Sequence, residues 1–403
     1  MMEHRAERPL GGPIWTPTMF FLLAVIFSGA ALVCYRLFFG LGAVSAMNDG
    51  YAWGIWKPLN VVTFTGIGAG AYAVGILTYV FNRWKYHSLV RSAILVGAMA
   101  YTLGGTSVLI DLGRWWNLWV TLYPPLYNLN SVLLEVAVCV MTYTGVLWVE
   151  LTPSILEQAS RWKYEPVRRL AQAGLPWVRR ILPIVISVAL LLPTMHQSSL
   201  GGLYMIAPTK LHPLWWTPWL SGLFLISCLA MGFGAVVIVE NLTSLNYRRR
   251  MDQRLLGRMA PVPAMLVLSY VAIRLLDIVM QGKLPFIMTF DFYSKLFLFE
   301  MALFLVPALM MLRRNVRKNR GALYLCGALL VFAGTVYRFD TYLIAYKPST
   351  GWVYFPSLGE LLFSACLAST GIAVYIVMIK LFPILSGVPS RKRPAPAEGA
   401  VQA

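Results

Sequence analysis

Residues 218–262 read PWLSGLFLISCLAMGFGAVVIVENLTSLNYRRRMDQRLLGRMAPV. Residues 218–240 carry one charged side chain, Glu240, at the very end. A helix of about 20 apolar residues, rising about 1.5 Å each, crosses roughly 30 Å of hydrocarbon. The run therefore predicts a membrane span. It is followed at once by Arg248, Arg249, Arg250, Arg254 and Arg258. An apolar span closed by a basic loop decides the fold class, because the same alternation recurs in both directions along the chain.

Ten such spans are predicted, at 18–40, 60–81, 91–111, 130–151, 180–198, 218–240, 263–281, 291–312, 321–340 and 358–382. The first has Arg5 and Arg8 before it but is long and lacks a small-residue cleavage site, so it reads as a retained helix. Of the 34 Lys and Arg residues, 25 fall at the N-terminus, in alternate loops and near the C-terminus. The intervening loops hold only Lys57, Arg114, Lys210, Lys283 and Lys347. By the positive-inside rule the basic loops face the cytoplasm. An all-α integral membrane protein follows, with ten transmembrane helices and both termini cytoplasmic, in a bacterial inner membrane. The domain organisation is a cytoplasmic segment at 1–17, a ten-helix domain at 18–382 and a disordered polar tail at 383–403.

Composition agrees. Of 403 residues, 58% are hydrophobic and 12% charged, with a mean hydropathy of +0.66. Soluble domains are about 25% charged. The net charge of +18 is a topology signal with some contact to anionic membrane lipid, and nucleic acid is not an expected partner. The five cysteines form no C-x-x-C pair, which fits neither an iron–sulfur nor a zinc site. The low-charge loops are rich in Trp, Tyr, Pro and Asn, which suits an interfacial aromatic belt or a docking platform.

Charges inside a bilayer are costly and mark function or an internal pair. Arg36, Asp111, Glu135, His196, Arg274, Asp277, Asp291, Lys295, Glu300, Arg338 and Asp340 all lie toward the low-charge side. Two stripes at helical spacing predict a polar lining: Gly104, Ser107, Asp111 and Arg114, then Asn128, Ser131, Glu135, Cys139 and Thr142. Arg274 with Asp277, and Arg338 with Asp340, read equally as functional groups or as structural ion pairs. Glu135 has no basic residue at i±3 or i±4 to neutralise it. Glu150 and Glu240 end spans on the basic side and are candidates for a proton path from the cytoplasm. The only histidine in a span is His196, so a bis-histidine haem is not expected. A quinone suits the set better: its carbonyl needs a donor and its reduction needs protons, which His196, Asp111, Glu135 and Tyr101 offer. The glycines of Gly66–Gly70 sit inside an apolar span, so they read as close helix packing and not as a nucleotide loop.

Three strings carry a resemblance: IDLGRWWN at 110–117, NLNSVLLEVAVCV at 128–140 and PTMHQSSLG at 193–201. GLGAVSAMNDGYAWGIW, FNRWKYHSLVR, KLHPLWW and TFDFYSKLF join them. Together the chain resembles the NrfD/polysulfide-reductase family from about Pro9 to Pro383, most closely the HybB-type membrane subunits of periplasmic NiFe-hydrogenases. The resemblance implies a quinone-reactive anchor, with menaquinone or ubiquinone as substrate and neither haem nor iron–sulfur cluster in this chain. It implies a periplasmic ferredoxin-like iron–sulfur subunit and hydrogenase large and small subunits as partners. By motif, Glu135 becomes a proton-transfer carboxylate, with Tyr101, Asp111, Arg114 and His196 around the quinone. The same module in a sulfur- or cytochrome-linked complex, an ion or solute transporter, and a purely structural anchor are the alternatives.

Overall fold

A computed structural model describes residues 8–249 and 251–387. Most of the expected tail, with Arg391, Lys392 and Arg393, lies outside the described residues. Ten helices are long and apolar enough to cross a membrane: α1 (Pro17–Phe39), α2 (Lys57–Val80), α3 (Trp84–Asp111), α4 (Val132–Ala159), α5 (Glu165–Met205), α6 (Leu220–Asn246), α7 (Gln253–Met280), α8 (Phe292–Leu312), α9 (Arg320–Ile344) and α10 (Leu358–Leu381). No strand forms among the described residues beyond a single bridge between Leu211 and Tyr346. All ten predicted spans are present. α4 and α5 overrun their expected limits toward the basic face, because a hydropathy window stops where Arg179 and Arg180 begin while the helix does not.

The helix starts follow from local chemistry. Thr16, Ser131, Asp291 and Asn319 each accept the backbone amide three residues on, and Ser357 with Glu360 forms a reciprocal capping box, which satisfies donors that a helix leaves open. Pro17 and Pro58 occupy first turns, where a missing N–H costs nothing.

The helices form two four-helix bundles, α2–α5 and α6–α9, joined where α2 and α5 pack on α6. α1 and α10 pair at the side, against α3. Only Met19, Leu22, Gly29 and Arg36 of α1 are buried, and its Phe20, Phe21, Phe27, Phe38 and Phe39 are exposed, as a lipid-facing helix requires. The two ends of the chain share one face: Leu10 and Gly11 donate backbone hydrogen bonds to Ile379 and Lys380 at the end of α10. Residues 383–387 do not begin a free tail. Ile384 and Leu385 are buried, and Arg91 and Arg249 donate to the carbonyls of Pro383 and Ser386.

Several basic-loop residues therefore also staple the fold. Arg91 and Arg179 both bind Glu157, at 2.9 and 3.1 Å. Arg320 donates to the side chain and backbone carbonyls of Asn241. Glu240 is buried in an ion pair with Arg249. That pairing matches the charge of Glu240 inside the protein. On the opposite, sparsely charged face the loops are cross-tied. Tyr51 stacks on Tyr354 and meets Tyr346 edge-on, and the Tyr354 hydroxyl accepts from the Ile55 amide at 2.6 Å.

Candidate functional site

The glycines of α2 set the site. A Cβ on Gly68 would lie 3.0 Å from the Tyr101 ring, and one on Gly66 would lie 3.2 Å from the Arg338 guanidinium. Their absence lets α3 and α9 press side chains against the α2 backbone, as the packing reading of this segment expects. The first turns of α2, Lys57–Thr63, are π-helical, a distortion that recurs at functional sites. The Val62 carbonyl in this segment accepts from Arg338 Nε at 3.0 Å.

Tyr101 and His196 meet in this bundle. Their ring centroids are 5.6 Å apart at 63°, and Tyr101 also meets Tyr143 of α4 edge-on at 4.6 Å. Both residues are fully buried. Neither ring nitrogen of His196 has a hydrogen-bond partner, and the Tyr101 hydroxyl, turned toward Gln197, makes no bond of normal geometry. Buried polar atoms without partners cost about 1–3 kcal/mol each, so three of them side by side need an explanation. Beside them runs a chain of bonds: Arg338 Nη2 to Gln197 Oε1 at 3.5 Å, then Gln197 Nε2 to Thr65 Oγ1 at 3.2 Å. A narrow crevice lined by Tyr72, Tyr79, Glu150 and Leu190 among others reaches Tyr143. Glu150 thus lies beside the aromatic column that leads to His196.

The other expected residues are placed differently. Asp111 bonds Lys57 Nζ at 2.6 Å, while Arg36 donates to the carbonyls of Ile110 and Leu112. Gly104, Ser107 and Asp111 all face the π segment of α2, through Asn60 and Lys57. α3 ends at Asp111, so Arg114 leaves the stripe and is exposed in the loop. On α4 only Cys139 of the second stripe is buried; Ser131 caps the helix, Asn128 and Thr142 are exposed, and Glu135 is half-buried in the first turn. Among the described residues Glu135 makes no side-chain hydrogen bond or ion pair.

Of the two readings left open for Arg274 with Asp277 and for Arg338 with Asp340, the ion pair does not form in either case among the described residues. Asp277 binds Lys283 at 3.0 Å and Thr217 at 2.7 Å, and Arg338 reaches into the first bundle. Residues two apart on a helix, such as Arg338 and Asp340, point to different sides. Sequence reasoning also missed Gln197, Thr65 and Tyr143, although Gln197 stands in the same string as His196. His87 lies near the start of α3, about 20 Å along the helix from Tyr101, and His212 lies in the loop before α6, stacked on Tyr293 at 4.5 Å.

The comparisons agree with this architecture. Residues 43–347 match the family model described as polysulphide reductase, NrfD. The chain is 35% identical over 387 residues to the probable Ni/Fe-hydrogenase 2 b-type cytochrome subunit of Escherichia coli K12, covering 95% of this chain and 96% of that one. It is 24% identical over 394 residues to the integral membrane subunit of a menaquinone reductase from Nitratidesulfovibrio vulgaris, covering 89% and 90%. The ten-helix chain belongs to the NrfD family of integral membrane proteins.

Proposed function

We propose that this chain is the quinone-reactive membrane subunit of a hydrogen:quinone oxidoreductase. The observation that carries the reading is the buried pair of His196 and Tyr101, with three polar atoms that meet no partner in the protein. A quinone oxygen supplies such a partner. An imidazole N–H and a phenol O–H donate to it, and the low-dielectric surroundings strengthen both bonds. Gln197, held between Thr65 and Arg338, fixes the floor of the site. Reduction of the quinone consumes two electrons and two protons. The electrons come from a periplasmic ferredoxin-like iron–sulfur subunit, fed by hydrogenase large and small subunits. The half-buried Glu135 is the carboxylate that passes protons to the site, and Asp111 holds the end of α3 through Lys57 and Arg36.

The partners dock on the sparsely charged face, which the charge asymmetry makes periplasmic. Trp115, Trp116 and Trp119 are exposed there, and aromatic residues are enriched at protein interfaces. The menaquinone reductase relative supports a second reading, in which the same quinone site serves another electron donor. Co-purification of the complex identifies the donor. The site itself is tested by E135Q, Y101F and H196N in the intact complex. Hydrogen-dependent quinone reduction falls at least tenfold in each while hydrogen-dependent reduction of an artificial dye is unchanged. Normal quinone turnover in E135Q sinks its proton role, and normal turnover in both Y101F and H196N sinks the site.

A further inference from the structure

The second bundle holds a cluster that the quinone reading does not use. Glu300 of α8 is fully buried and accepts two hydrogen bonds, from Trp215 Nε1 at 2.8 Å and from the Tyr270 hydroxyl of α7 at 2.9 Å. Asp340 begins the π-helical turn that ends α9 and is also fully buried. It faces Glu300 and Arg274, yet neither of its oxygens meets a donor at normal geometry. Arg274 of α7 lies 5.0 Å over the Phe297 ring and bonds the Trp215 carbonyl at 3.4 Å; its Nε and Nη2 have no partner. Tyr337, one turn before Asp340, packs on Tyr270 at 5.4 Å and completes the enclosure.

Charge counting decides the state of this cluster. Two ionised carboxylates against one guanidinium leave an uncompensated negative charge in a dry interior, which costs several kcal/mol. Asp277 does not change the balance, because Lys283 neutralises it, and Arg338 does not enter it, because its guanidinium bonds the carbonyls of Val62, Gly334 and Gln197 on another side of α9. Tyr270 and Tyr337 are phenols that keep their protons near neutral pH. We propose that Asp340 and Glu300 share one proton under Arg274, making the second bundle a proton-binding site separate from the His196 site. Glu300, with two donors already on it, is the anion that balances Arg274. Asp340 carries the proton and donates it toward Glu300, and transfer between them moves one proton with no net change in charge.

The ligand is a proton and not a metal cation. A cation needs free acceptors, whereas Glu300 already accepts from Trp215 and Tyr270, and the positive charge of Arg274 stands in the same enclosure. Access is from the sparsely charged face. Trp215 belongs to the loop there and touches His212 at 5.8 Å. Toward the basic face, Phe304 and Met311 of α8 and Leu323, Leu330 and Ala333 of α9 fill the bundle with fully buried apolar side chains.

The test is infrared absorption by protonated carboxylic groups at pH 7 in the full chain, in lipid nanodiscs. D340N and E300Q each lose the intensity of one carboxyl, because the carboxylate that remains is matched by Arg274 and binds no proton. R274Q gains the intensity of one carboxyl, because both acids must then be neutral. The opposite signs separate the proposal from general unfolding, and gel filtration confirms folded protein. Unchanged intensity in D340N, E300Q or R274Q overturns the proposal, as does loss of the wild-type band on adding Na⁺. Quinone turnover is not part of this readout, so the result stands apart from the function proposed for the first bundle.

Discussion

Gly232 lies where the two bundles cross. A Cβ built there would sit 2.6 Å from the Ala69 carbonyl carbon and the Gly70 nitrogen, and 2.8 Å from the Ala69 oxygen. Those are backbone atoms of α2, which cannot rotate away as a side-chain tip could. Carbon contacts settle near 3.5–4.0 Å, so G232A forces α2 and α6 apart by about 1 Å. Overpacking costs about 1–3 kcal/mol, and with rigid backbone on both sides the upper end applies. For a chain of this length that is a fall of roughly 3–4 °C in Tm. Separation of α2 also moves Gly66, Gly68 and Val62, against which Arg338 and Tyr101 rest, so quinone reduction falls with stability. G145A is the control: a Cβ there meets nothing within 4 Å, and alanine gains about 0.5–1 kcal/mol over glycine within a helix. Thermal unfolding in detergent, followed by gel filtration, compares the two. If G232A melts with the wild type, the close crossing of α2 and α6 is not the seam described here.

Breaking the buried Glu240–Arg249 pair with E240Q destabilises the chain by about 3–5 kcal/mol, and E240Q combined with R249M recovers part of that loss; a thermal melt of both variants checks it. D111N and K57M lower the melting temperature by similar amounts, because each removes one half of the same bond at the end of α3; a fall in D111N alone gives Asp111 a role beyond the pair. His212 is held neutral, its pKa pushed down to about 4 by burial and by Lys347. The unfolded chain gains that proton near pH 6.5 and the folded chain only near 4. Stability is therefore full above 6.5 and falls as pH drops toward 4, by on the order of 2 kcal/mol. H212Q flattens that slope in melts recorded from pH 7 to pH 4.

The spans were legible because hydropathy and loop charge are properties of consecutive residues. A run such as 218–240 has no alternative home, and the alternation of basic loops orders the faces without any knowledge of packing. Pairing was not legible, because partners inside a bilayer come from other helices. Asp277 lies one turn from Arg274 yet binds Lys283 and Thr217. Arg338 is two residues from Asp340 yet reaches Val62 and Gln197, at separations of 276 and 141 residues. The helical-spacing argument worked where two helices actually meet, at Gly104, Ser107 and Asp111 against α2. It failed at Asn128 and Thr142, where the same spacing runs along an exposed face. Polar periodicity alone does not say which neighbour a stripe will find.

The two buried clusters meet on α9, and this gives the helix a role that neither cluster has alone. Arg338 leaves one side of it for the first bundle, where three carbonyl oxygens disperse its charge. Asp340 leaves another side for the second bundle, where it meets carboxylate and guanidinium. Two residues separate a fixed positive charge beside His196 from an acid that must be neutral to stay buried. Arg338 and Asp340 leave α9 on different sides, so the guanidinium does not offset the burial of an ionised Asp340, but a change in the charge of Asp340 is still felt by Arg338 along the helix they share. Ionising Asp340 would also draw on the turn that presents Arg338 to Val62 and Gln197, since the π segment begins at Asp340 itself. On the two proposed assignments, chemistry at the quinone position and proton occupancy in the second bundle would be joined through α9 by electrostatics and by backbone geometry, with no need for a continuous wire of side chains between them.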